Sequence, residues 1–176
     1  MTSAQSEIKI RAAAPLDAAN IVRLLKHLWH EETALPADRV NDSKAMLFVM
    51  KTLEHGHVLV AELSGRIVGT IAVQVTQEPW SDESLIEVRW LYAITSREIV
   101  ECALLENAET FANEQKLPML ARVFRYSRDR VDHFGGREGY VLMGSSYLRF
   151  PLETVRSLSK PVLGLDGRGL EIQPAL

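Results

Sequence analysis

The stretch HVLVAELSGRIVGTIAVQVT, residues 57–76, constrains the fold more than any other part of the chain. Two runs rich in β-branched and aliphatic residues are separated only by Ser64-Gly65. A two-residue connection of that composition joins antiparallel strands. Gly65 supplies the positive φ that such a tight turn demands. The segments on both sides of this hairpin carry helical as well as strand patterns, so the chain must combine helices with a sheet.

Upstream, EIKIR alternates and places Ile8 and Ile10 on one side of a short first strand. AAAPLDAANIVRLLKHLWHEE spaces Ala18, Ile21, Val22, Leu25, Leu28 and Trp29 at helical intervals, with Pro15 and Asp17 near its start. DSKAMLFVMKTLEHG predicts a second, shorter helix that ends at Gly56. Downstream, SLIEVRWLYAI reads as a strand, and the helix after it carries Val100, Leu104, Ala108 and Phe111 along one stripe. LPMLARVF predicts a further strand, SRDRVDHFGGREGY a short helical or irregular piece, and VLMGSSYLRF one last strand. The order β α α β β β α β (α) β is that of a mixed α/β layer fold.

A chain of 176 residues suits one domain with a single core. Its net charge of −3 argues against a general binder of nucleic acid or anionic membrane. Cys102 is the only cysteine, which excludes a disulfide framework or a cysteine metal cluster and suggests a reducing, cytoplasmic setting. No segment approaches the roughly 18 apolar residues of a membrane span.

The element order, with three of its segments, resembles the GNAT superfamily of acetyl-CoA-dependent N-acetyltransferases. VLVAELSGRIVGTI is similar to the family's central antiparallel pair, IEVRWLYAI to its fourth strand, and HFGGREGYVLMGSSYLRF to its closing segment. The resemblance covers about residues 7–152. It implies a mostly antiparallel central sheet flanked by helices, with residues 153–176 as a C-terminal extension. In that extension Asp166-Gly167 predicts a hairpin arm. The resemblance also implies acetyl-CoA as co-substrate, an amine of unspecified identity as acceptor, and no metal.

The family's fourth strand runs into a loop written Arg/Gln-x-x-Gly-x-Gly/Ala and then a helix, whose free N–H groups hold the coenzyme pyrophosphate. The corresponding residues here are Tyr92, Ala93, Ile94, Thr95, Ser96, Arg97 and Glu98, and the loop is shorter and without glycine. Thr95 to Glu98 has the form of a capping box, in which each side chain would bond the other's backbone N–H. Such a box would close the turn against an anion. Glu98 and Glu101 add negative charge there, and Arg97 offsets part of it.

Deprotonating an ammonium acceptor requires a base. By resemblance that base is Glu87, five residues before Tyr92; the alternative is a structural ion pair with Arg89 on the same strand face. The family's tyrosine acid is missing before Gly139-Tyr140, which leaves His133, Tyr126 or Tyr147 as substitutes, with His133 as the candidate. His27 and His30, three apart, lack the spacing of a zinc helix; the resemblance implies that this region lies near the acceptor, where Glu31 and Glu32 would attract an amine. Arg122, Arg125, Arg128, Arg130 and Arg137 alternate with Phe124 and Tyr126, a pattern that fits a strand's polar side better than a nucleic-acid site. The departures from the family loop also support a second expectation. In it the chain is a non-catalytic adaptor of a homo-oligomer or larger assembly, such as a phage particle, held through the C-terminal extension.

Overall fold

The computed structural model of the chain describes residues 7–33, 35–77, 82–122, 140–143 and 146–149. The central hairpin comprises β2 (His57–Leu63) and β3 (Arg66–Gln77). Ser64 and Gly65 between them have φ values of 52° and 74°. Positive φ at both central positions is the turn whose twist matches that of the flanking strands. A Cβ on Gly65 would meet nothing within 4 Å, so glycine serves its conformation alone.

β1 (Ile8–Ala12) pairs antiparallel with β2, and β3 pairs antiparallel with β4 (Ser84–Ala93). β5 (Met119–Arg122) then runs parallel to β4, the only parallel neighbours in the described sheet. The last segment holds two strands rather than the one expected: β6 (Tyr140–Met143) and β7 (Ser146–Arg149) form an antiparallel pair. Met143 faces Ser146 across that pair. The sheet order is β1-β2-β3-β4-β5-β7-β6.

Two helices cover one face of the sheet, α1 (Ala18–Thr33) and α2 (Asp42–His55), and α3 (Arg97–Gln115) covers the other. Strand β2 shows why its sequence is apolar without alternation. Val58 and Val60 pack toward α1 and α2, while Leu59 and Ala61 pack toward α3. With both faces covered, neither parity is left for polar residues. A buried polar chain runs through the first layer: Trp90 Nε1 donates to Thr70 Oγ1 at 3.2 Å, and Thr70 donates to the Leu59 carbonyl at 3.0 Å.

The apolar stripe of α1 differs from the expected one. Leu24 is fully buried, whereas Trp29 is 42% exposed. On α3, Val100, Leu104 and Ala108 are buried as the spacing predicts, joined by Leu105 and Ala112. Phe111 is only partly buried and stacks on His57 at 4.3 Å. Gly56 ends α2 in extended backbone, and a Cβ there would lie 2.9 Å from the carbonyl oxygens of Thr52 and Val73. That glycine answers a close approach of chains, not a left-handed cap.

One irregularity positions the site. Ala72 pairs with Trp90 but Val73 pairs with Val88, so Arg89 is an extra residue in β4. Such a bulge reverses the alternation beyond it. Ile86 and Val88 face α3 before the bulge, and Leu91 and Ala93 face α3 after it. Glu87 therefore shares the opposite face with Trp90 and Tyr92.

Candidate functional site

The end of β4 and the first turn of α3 bring together four side chains from three elements. Tyr92, buried on β4, donates its hydroxyl to Glu31 Oε1 of α1 at 2.6 Å. Arg97, in the first turn of α3, donates to Glu31 Oε2 at 2.7 Å and to Glu101 Oε1 at 3.1 Å. Its guanidinium stands 5.2 Å from the centre of the Tyr92 ring, within cation–π range. Glu101 is 5% exposed and also accepts the Ala93 N–H at 3.2 Å.

These contacts set the protonation states. Burial and the hydrogen bond to Glu31 push the Tyr92 hydroxyl above its usual range, so it stays a neutral donor. Burial alone would weaken the Arg97 charge, but Glu101 and Glu31 outweigh it and raise its pKa.

The capping box expected from Thr95 and Glu98 does not form. The residue that caps α3 is Ser96, with φ 45° and ψ 45°, and its side chain makes no capping bond. A helix N-cap normally has extended backbone, from which its side chain reaches the second or third N–H. The left-handed conformation of Ser96 takes that side chain away. Among the described residues, the N–H groups of Arg97, Glu98 and Ile99 accordingly have no hydrogen-bond acceptor, while Val100 N–H bonds the Ser96 carbonyl. The turn is open at its backbone and crowded by carboxylates beside it.

The seven residues matched to the family loop therefore fall into two groups. Tyr92 and Ala93 lie buried, their hydroxyl and N–H already bonded to Glu31 and Glu101. Ile94 gives its N–H to the Val68 carbonyl. Thr95, Ser96, Arg97 and Glu98 are exposed at the start of α3. Arg97 and Glu101 are an i,i+4 pair that helical spacing alone makes neighbours. Their link to Glu31 spans 66 residues of sequence and carries no local signal.

Glu87 lies on the other side of the bulge, with its carboxylate 3.0 Å from Arg89 Nη1 and mostly shielded from solvent. Arg89 in turn stands 5.7 Å from the ring centre of Phe48 on α2, and Phe48 packs against Trp90 at 5.5 Å. The ion pair foreseen as the alternative to a catalytic base is thus present. Phe48 had no distinguishing mark in the sequence. His133 and Tyr126 lie outside the described residues, as do residues 153–176 and most of the arginine-rich run.

His30 Nδ1 lies 2.8 Å from the Leu35 carbonyl. Among the described residues no three His, Cys, Asp or Glu side chains are placed to hold a metal, and no helix is long and apolar enough to cross a membrane.

No protein-family model and no curated protein matches the chain. Solved structures do. A predicted acetyltransferase with acetyl-CoA from Clostridium acetobutylicum superposes with a TM-score of 0.63 at 16% identity, over 78% of this chain and 96% of its own. A GNAT-family acetyltransferase from Streptococcus pneumoniae does so with a TM-score of 0.61 at 21% identity, covering 81% and 96%. A GNAT-family acetyltransferase from Brucella melitensis in complex with acetyl-CoA gives 0.58 at 16%, covering 83% and 89%. At such identities the likeness establishes the fold, which is that of the GNAT acetyltransferases.

Proposed function

We propose that the chain is an acyltransferase that uses acetyl-CoA and passes the acetyl group to an amine. The observation that carries this reading is the open first turn of α3. Among the described residues, three consecutive backbone N–H groups have no acceptor at the positive end of a 19-residue helix, the setting in which phosphates bind. The fold around it is shared with proteins solved with acetyl-CoA.

Coenzyme A is an extended molecule with phosphates at one end and its thiol at the other. Glu87 and Ala93 are six strand residues apart, roughly 20 Å, so such a ligand laid along β4 has its anionic end at α3 and its reactive end near Glu87. The N–H groups of Arg97, Glu98 and Ile99 would hold the phosphates, and the bound coenzyme supplies the activated acetyl group. Glu87 accepts the proton that an ammonium acceptor must lose. Arg89, 3.0 Å away, orients the Glu87 carboxylate until the acceptor arrives.

Calorimetric titration of the protein with acetyl-CoA and free CoA tests the reading directly. Micromolar binding supports it; absence of heat at millimolar coenzyme, with an unchanged melting temperature, removes it. A second reading draws on the Glu31–Arg97–Glu101 network, which ties α1 to α3 across the end of β4. In it the cleft is fastened shut and the chain works as a non-catalytic module of a larger assembly. Loss of assembly on deleting residues 153–176, with no coenzyme binding, is its signature.

A further inference from the structure

The side chain best placed to meet a phosphate at the start of α3 is Arg97, and it is held by two carboxylates of different kinds. Glu101 is one turn further along the same helix, buried, and also fastened to the Ala93 N–H. It moves with α3 and keeps the guanidinium near that helix's N-terminus. Glu31 belongs to α1, on the other face of the sheet, and pulls the guanidinium toward Tyr92. The Glu31–Arg97 bridge is about half exposed, at 42% and 43%, so solvent and ligands reach it.

We propose that Glu31 is a competitor for Arg97. It positions the guanidinium away from the anion site, and the coenzyme phosphates must displace it to recruit Arg97. This rests on the acetyl-CoA reading above. Glu101 remains bonded throughout, so the guanidinium only pivots about its Nε contact and exchanges Glu31 for a phosphate oxygen. A phosphate accepts a guanidinium in the same forked geometry as a carboxylate and carries more charge, which makes the exchange favourable. Its cost is the rupture of one half-exposed ion pair, a small quantity. The α1 end of the bridge is released in the same event, with the Glu31 carboxylate still held by the Tyr92 hydroxyl.

Removing Glu31 should then strengthen coenzyme binding, but only where Arg97 is present to be freed. That condition separates competition from the general repulsion between a carboxylate and a phosphate, which persists without Arg97. The experiment is a double-mutant cycle with free CoA as the probe: wild type, Glu31→Gln, Arg97→Gln and the double variant, each titrated calorimetrically. Glu31→Gln is expected to tighten CoA binding about two- to five-fold, the scale of an exposed ion pair. Arg97→Gln should weaken it, and the double variant should match Arg97→Gln alone. Arg97→Met, which keeps the aliphatic stem and removes the cation, replaces Arg97→Gln if the latter lowers the melting temperature markedly.

Wild-type binding with no tightening in Glu31→Gln overturns this inference and leaves the acetyl-CoA reading standing. Equal tightening with and without Arg97 does the same, because charge repulsion alone then accounts for it. Failure of all four proteins to bind CoA overturns both.

Discussion

At the residue scale, Asp17 shows how a short polar side chain can secure a chain entry. It accepts the Ala14 N–H at 2.7 Å and two bonds from Arg11 at 2.7 and 3.0 Å, while Arg11 also reaches Glu62. The hydrogen bond from Arg11 holds the Asp17 carboxyl below its ordinary range, although burial works against it. Asp17→Asn keeps the shape and loses the charge, leaving Arg11 half satisfied. We expect it to cost about 1–3 kcal/mol at neutral pH, as removal of one partner from a largely buried pair does. Because the folded pKa is lowered, this stabilisation is complete above the unfolded value near 4 and is lost as pH falls through the folded value. The gap between wild type and Asp17→Asn in urea melts should therefore be full at pH 7 and narrow at pH 3. His57 adds to the same trend at milder pH: burial beside Phe111 lowers its pKa, so wild-type stability already declines as pH drops below about 6.5. Ser96 is the converse case. Its φ of 45° is strained for any residue with a Cβ. Ser96→Gly should stabilise the protein by about 0.5–1 kcal/mol, the relief of that strain less the entropy of a freer unfolded chain. A chemical-denaturation midpoint that falls instead would show Ser96 to be held by something stronger than its backbone.

At the scale of elements, α3 lies so close to the sheet because Gly69 lets it. A Cβ at Gly69 would sit 2.6 Å from Val100 Cγ1 and 3.2 Å from both Ala93 Cβ and Leu104 Cδ1. Gly69→Ala should cost about 1–3 kcal/mol by overpacking. Since Val100 is in the first buried turn of α3, the same change should also weaken coenzyme binding by moving the helix start; equal affinity after the substitution would uncouple the two. The elements themselves were largely legible in the sequence, because hydrophobic period and turn chemistry are local. Ser64-Gly65 announces its hairpin, and the Val100, Leu104 and Ala108 stripe announces its helix. What the sequence hid was conditional on neighbours. Thr95 to Glu98 has the letters of a capping box, yet the strand delivers the chain to α3 through a left-handed Ser96, and the box cannot close. Trp29 has the period of a core residue, yet it is exposed, and Leu24 is buried instead. Glu87 and Arg89 were legible as a pair because strand residues two apart share a face. Glu31 and Arg97 were not, because only the finished fold brings α1 and α3 to one end of β4.

At the scale of the whole molecule, the two halves of the proposed reaction lie at opposite ends of one strand, and substitutions should separate them. Glu87→Gln is expected to lower turnover by about 10²–10⁴, the usual contribution of a general base, while CoA affinity stays within about two-fold of wild type. Full turnover in Glu87→Gln would remove this residue from the chemistry and leave it as the partner of Arg89. Steady-state kinetics on the variant, beside the CoA titration, reads both quantities. The extra residue Arg89 sits between these two ends, and it gives the strand something like a reading frame. Everything from Trp90 onward is in phase with α1, α2 and α3 only because one residue has been inserted ahead of it. Substitutions within β4 can be absorbed one side chain at a time. A one-residue deletion there would exchange the faces of Trp90, Leu91, Tyr92 and Ala93 together, so the fold can absorb a change in the letters of that strand but not in their number.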